Sequence, residues 1–148
     1  MREAEAMVSG PGDCWYRAMV NVDFAHAIIA QGRNADAAAA VERIDLVPAP
    51  CDLQWIVKRH AGRARVAARA GDHARAVEEA RAAVAAAEPC GLVLLKADAE
   101  RTLAEALQAA GRNDEAVAAG RRALALDEAK QNLVAAAATR RQLASLGA

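Results

Sequence analysis

Aromatic residues make up only 3% of the chain: two tryptophans, one tyrosine and one phenylalanine. Sheets draw heavily on aromatic and β-branched side chains, and strand formers are scarce and scattered here, so a β-rich core is excluded. Proline occurs four times, at Pro11, Pro48, Pro50 and Pro89, which leaves long stretches with nothing to interrupt a helix. The three cysteines, Cys14, Cys51 and Cys90, fall far apart at near-even intervals. An odd number so spaced fits neither a disulfide framework nor a zinc or redox motif, and reduced thiols are expected. Nineteen basic and nineteen acidic residues give a formal net charge of zero. No global field therefore draws the protein toward nucleic acid or an anionic membrane. No apolar run approaches the roughly 20 residues of a membrane span. The opening Met1-Arg2-Glu3-Ala4-Glu5 lacks the basic and apolar regions of a signal peptide, so a cytoplasmic protein without a membrane partner is expected.

What the sequence has in abundance is alanine, which supplies most of a 55% hydrophobic composition. Alanine has the best helix propensity and the smallest side chain, which favours helices packed closely against one another. At 148 residues one domain with a core of its own is the default.

The chain repeats itself. Gly32-Arg33-Asn34-Ala35-Asp36-Ala37, Gly71-Asp72-His73-Ala74-Arg75-Ala76 and Gly111-Arg112-Asn113-Asp114-Glu115-Ala116 share a glycine, a polar pair and alanines at like offsets, and the three glycines are almost evenly spaced. A helix-length stretch precedes each glycine, as in the segment from Asp98 to Ala110, where Leu103 and Leu107 fall on one face. The glycine then suits a left-handed helix C-terminus, and Asn34, Asp72 and Asn113 are positioned to cap a second helix. Each unit reads as a helical hairpin. Pro48-Ala49-Pro50 and Glu88-Pro89-Cys90-Gly91 separate the units, and the segment from Asn132 to Leu146 predicts one further amphipathic helix. The expected architecture is all-α: three antiparallel hairpins plus a C-terminal capping helix, seven helices in all. A lead segment of residues 1–12 precedes a helical domain over 13–148, with units at about 13–47, 51–88 and 91–128 and a cap at about 130–146.

These offsets resemble the tetratricopeptide repeat (TPR) family. Its small residue, large apolar residue, turn glycine and two later alanines fall at Ala104, Leu107, Gly111, Ala116 and Ala123 in the third unit. Their counterparts are Ala25, Ile28, Gly32, Ala37 and Ile44 in the first unit, and Ala64, Ala67, Gly71, Ala76 and Ala83 in the second. The sequence departs from the family where an aromatic is expected in the second helix, at Val41, Ala80 and Gly120, and its period exceeds the usual ~34 residues. From Trp55 onward the chain is also similar to the C-terminal helical tails of actinobacterial multidomain regulators, which follow ATPase, cyclase or DNA-binding modules. The resemblance implies a right-handed α-solenoid with a docking or sensing role.

It also implies a concave surface lined by the first helix of each hairpin. Carried over by position, that surface receives His26, Met19, Val22 and Ile29 from the first unit, Lys58, Arg65 and Arg69 from the second, and Asp98, Arg101, Glu105 and Gln108 from the third. Lys58, Arg65, Arg69 and Arg101 would form a basic patch suited to a peptide or protein partner bearing acidic or carboxylate groups, with His26 and Glu105 beside it. The plainer reading is a solvated charged face, with Asp98 and Glu105 neutralising two of the arginines. Trp15 and Trp55 are expected to be buried against a neighbouring hairpin, with a partner anchor as the alternative. Arg63 stands where the family places an apolar core residue, so its stem is expected to snorkel.

Catalysis has little support. His26, His60 and His73 form no metal-ligand spacing, no glycine-rich phosphate loop exists, and Glu78-Glu79 and Asp114-Glu115 read as solvated pairs. No catalytic residue, metal or cofactor is expected. Nucleic acid is disfavoured by the absence of a broad basic excess with stacking aromatics. The remaining alternative is a structural protein that self-associates through the apolar end formed by Met19, Val22, Ile28 and Ile29.

Overall fold

The computed structural model describes residues 53–148, together with residues 24, 27–29, 31–33, 36, 37, 39 and 41. Every regular element among the described residues is helical. The helices with defined bounds are α1 (Leu53–Arg69), α2 (His73–Ala87), α3 (Val93–Ala109), α4 (Asn113–Ala129) and α5 (Leu133–Ser145). α1 with α2 and α3 with α4 form hairpins, α3 lies against both α1 and α2, and α5 packs on α4. The chain is thus an all-α helical repeat with α5 as its final helix. Cys14, Trp15, Met19, Val22, His26, Asn34, Cys51 and the 1–12 lead lie outside the described residues.

The hairpin turns follow from single residues. At the end of α1 the amide of Asp72 donates to the Ala67 carbonyl at 3.0 Å and that of Gly71 to Ala68 at 3.2 Å, with Gly71 at φ +81°. Gly111 repeats the arrangement at φ +72°, with Arg112 bonded to Leu107 and Gly111 to Gln108. This paired closure satisfies the last carbonyls of the helix and needs a left-handed residue between them. The turn from α4 to α5 makes the same two bonds, Asn132 to Asp127 and Gln131 to Glu128, but the left-handed residue is Gln131 at φ 56°.

Capping follows the expectation at one site and departs from it at another. Asp72 caps α2, its carboxylate accepting from the Arg75 amide at 3.1 Å. Asn113 does not cap α4. The helix already includes it, and the preceding Arg112 takes the cap position without a side-chain bond. One extra residue separates Gly111 from the next polar side chain capable of capping, which moves Asn113 into the first turn.

The core is built from methyl groups. Ala64, Ala76, Ala80, Ala104, Ala116 and Ala119 are at most 1% exposed and cluster around Leu103 and Leu107. Each buried methyl contributes only about 0.8 kcal/mol, so cohesion depends on many close contacts. Gly120 carries this furthest, because a Cβ there would stand 2.9 Å from Leu143 Cδ2 of α5. Trp55 is the large exception. It is 1% exposed and packs with Ile28, Ile29, Ala37 and Val41, so the first unit is seated on α1 through one indole, as expected. The guanidinium carbon of Arg59 lies 4.8 Å from its ring centroid, within cation–π range. Ile28 and Ile29 are each only 3% exposed, while Met19 and Val22, the other members of the expected apolar end, lie outside the described residues.

Candidate functional site

α1 and α3 run side by side and expose one face of each to a common groove. Its volume is about 420 Å³. Ile29, Ala64, Ala68 and Ala106 supply its apolar lining, and Arg65, Arg69, Thr102 and Glu105 its polar lining. Small side chains at Ala64 and Ala68, one turn apart on α1, and at Ala106 of α3 leave the space open, since larger ones would fill it.

The charges around the groove are ordered into a chain. Arg65 of α1 donates from Nη2 to Asp98 Oδ1 at 3.0 Å and from Nε to Glu105 Oε2 at 3.2 Å, both on α3. Arg101, one turn beyond Asp98, donates from Nη2 to the same Asp98 oxygen at 3.2 Å. Its Nη1 reaches Asp127 Oδ2 of α4 at 2.7 Å. Asn132, ahead of α5, donates from Nδ2 to Asp127 Oδ1 at 3.0 Å. Thr102 fixes the middle of this chain by donating its hydroxyl to the Asp98 carbonyl at 2.8 Å. Burial works to lower the pKa of the Arg65 guanidinium, but the Asp98 and Glu105 carboxylates outweigh it and hold that pKa raised. Asp127 is 0% exposed, so its negative charge relies wholly on Arg101 and Asn132 for compensation.

Arg65 and Arg101 therefore come together around Asp98, but in alternation with carboxylates and not as a block of positive charge. Glu105 lines the groove beside Arg65, and Arg69 is exposed along the same wall. Lys58 is half-buried on α1, two turns before Arg65, and is not part of the groove lining. His26 lies outside the described residues.

One of the carboxylates assigned to solvent is instead structural. Glu79 is 14% exposed and accepts from His60 Nδ1 at 2.7 Å, with Arg63 3.7 Å away. The Arg63 stem crosses the α1–α2 joint as snorkelling requires, but its head finds Glu79 there, so this carboxylate is drawn inward. Asp114 and Glu115 are exposed, with Glu115 paired to Arg112 and Arg81. Among the described residues, no group of three or more His, Cys, Asp or Glu side chains is placed to hold a metal ion. None of the described helices is long and apolar enough to cross a membrane.

Asp127 and Ile29 are the site residues whose importance sequence reasoning understated. A signal for Asp127 exists. Setting Gly71 against Gly111 aligns Ala61 and Ala87 of the second unit with Arg101 and Asp127 of the third, so two small residues of one hairpin become an opposite-charge pair in the next.

Neither a family model nor a curated protein matches the sequence. A solved structure is similar: a TPR-like protein from Chlorobium tepidum TLS, determined by crystallography at 2.54 Å. Its TM-score is 0.68 at 21% identity, over 88% of this chain and 94% of that one. The likeness establishes a TPR-like helical fold.

Proposed function

We propose that this chain is a protein-interaction module that takes an extended segment of a partner protein into the groove between α1 and α3. The observation that carries the proposal is the groove itself, about 420 Å³ with an apolar floor and a charged wall already held in place by ion pairs. Such a site suits a peptide that places an apolar side chain over Ala64, Ala68 and Ala106 and a carboxylate toward Arg69. Arg65 and Arg101, engaged with Asp98, Glu105 and Asp127, shape the wall. Lys58 extends the surface along α1 beyond the groove. On this reading the chain acts by binding and not by catalysis, in a regulatory or docking role in the cytoplasm, through a domain spanning 13–148. The same reading accommodates its use as the helical tail of a larger regulator.

The test is selection of peptides from a random display library on the intact protein, followed by affinity measurement against Ala68→Arg and Arg69→Glu. Selected peptides are expected to share an apolar residue near an acidic one. Their affinity is expected to fall at least about tenfold with either substitution. Peptides that bind wild type and both variants equally would remove the groove from the function.

A further inference from the structure

The starts of α1, α3 and α5, at Leu53, Val93 and Leu133, are evenly spaced along the chain, so the three helices can be compared position by position. Each uses two faces. The first packs on the preceding hairpin: Leu103 of α3 clusters with Ala76 and Ala80 of α2, and Ile56 of α1 packs against Ile28 and Ile29. In α5 this face is complete, with Ala136, Thr139 and Leu143 buried against α4.

The second face receives the helix that completes the hairpin. In α1 it is Val57, Ala61 and Ala64, none more than 1% exposed. In α3 it is Ala97 and Ala104, both at 0%, with Arg101 between them taking Asp127 of α4 at 2.7 Å. The equivalent residues of α5 are Ala137, Arg141 and Ala144, and all three are exposed. Val134 and Leu133, at the head of α5, are 84% and 73% exposed, against 49% for Leu94 of α3 and 39% for Leu53 of α1 at the like positions. α5 is thus a first helix whose hairpin face is uncovered among the described residues.

Charge indicates what covers it. α5 carries Arg140 and Arg141 and no acidic residue. Arg140 is tied to Glu128 of α4, whereas Arg141 enters none of the ion pairs formed among the described residues. Its equivalent, Arg101, has a carboxylate from the covering helix as partner. Two α5 faces brought together about a two-fold axis would offer Arg141 no carboxylate, which disfavours a second copy as the occupant.

We propose that this face of α5 docks one amphipathic helix from a partner protein, antiparallel to α5 as α4 is to α3. The helix presents small residues to Ala137 and Ala144 and a carboxylate to Arg141. The site is separate from the groove and does not depend on it.

The molecule contains its own probe, because α4 is a helix of the kind described. A fluorescein-labelled peptide of residues 112–131 is titrated into the full chain and followed by anisotropy. Saturable binding is expected, weakened at least about tenfold by Arg141→Glu and restored when the peptide carries Asp127→Lys. Amides of α5 are expected to exchange more slowly in the complex. No binding, or binding indifferent to Arg141, as displacement of the resident α4 would give, overturns the proposal. A doubled mass in sedimentation without peptide, returning to the monomer mass with Ala144→Glu, overturns it in favour of a second copy.

Discussion

Replacing Arg101 with alanine strikes the structure where its electrostatics are least forgiving. Asp127 is wholly buried, with one oxygen 2.7 Å from Arg101 Nη1 and the other 3.0 Å from Asn132 Nδ2. Without the guanidinium, the carboxylate keeps a single neutral donor and its charge is uncompensated. Breaking a buried pair in this way costs about 3–5 kcal/mol. In a chain of this size each kcal/mol moves the melting temperature by roughly 2–4 °C, so a fall of about 6–20 °C is expected. The double substitution Arg101→Ala, Asp127→Ala recreates the Ala61–Ala87 joint of the preceding hairpin, whose members are at most 1% exposed. The double variant should therefore recover part of the loss, because no buried carboxylate is left unpaired, while the void left by two smaller side chains keeps it below the parent chain. Urea unfolding followed by helical circular dichroism measures all three proteins. The reasoning fails if Arg101→Ala costs less than about 1 kcal/mol, or if the double variant is no more stable than Arg101→Ala alone.

Two further substitutions test the turns and the close packing. Gln131→Gly relieves a left-handed conformation at φ 56° and should raise stability by about 0.5–1 kcal/mol, read as a higher urea midpoint; a lower midpoint would refute the assignment of strain to that residue. Gly120→Leu drives a side chain into Leu143, 2.9 Å from the position of the first added carbon, and should cost about 1–3 kcal/mol with faster amide exchange in α5. Unchanged stability and exchange would show that the two helices separate freely.

Much of this architecture was legible because glycine is hard to replace where φ is positive. Gly71 and Gly111 announced two hairpins, and the alanine offsets after them announced helices that approach closely. The turn before α5 lacked that mark, since Gln131 adopts the same conformation at a cost, and its helix was legible only through the apolar periodicity between Asn132 and Leu146. Side-chain pairing was harder to read. His60 and Glu79 lie 19 residues apart on different helices, and only the crossing of α1 over α2 brings them within 2.7 Å. The same limit applies to the groove. Sequence placed Arg65 and Arg101 on one surface, but whether Asp98 separates them or merely accompanies them depends on side-chain directions across two helices. Asp127 was obscured further, because a carboxylate beside Glu128 near a helix end reads as solvated until Arg101 is seen beneath it.

The exchange of Ala61–Ala87 for Arg101–Asp127 also bears on how the chain finds its own fold. Units that share one alanine pattern invite mistaken partners, since α3 could meet α2 in the manner of α4 without violating that pattern. That mispairing would bury the Arg101 guanidinium against the Ala87 methyl and strand Asp127 elsewhere, two unmatched charges in one error. A wholly buried carboxylate paired across α3 and α4, where the preceding hairpin has two alanines, thus works as an address, telling helices of like pattern which neighbour is theirs.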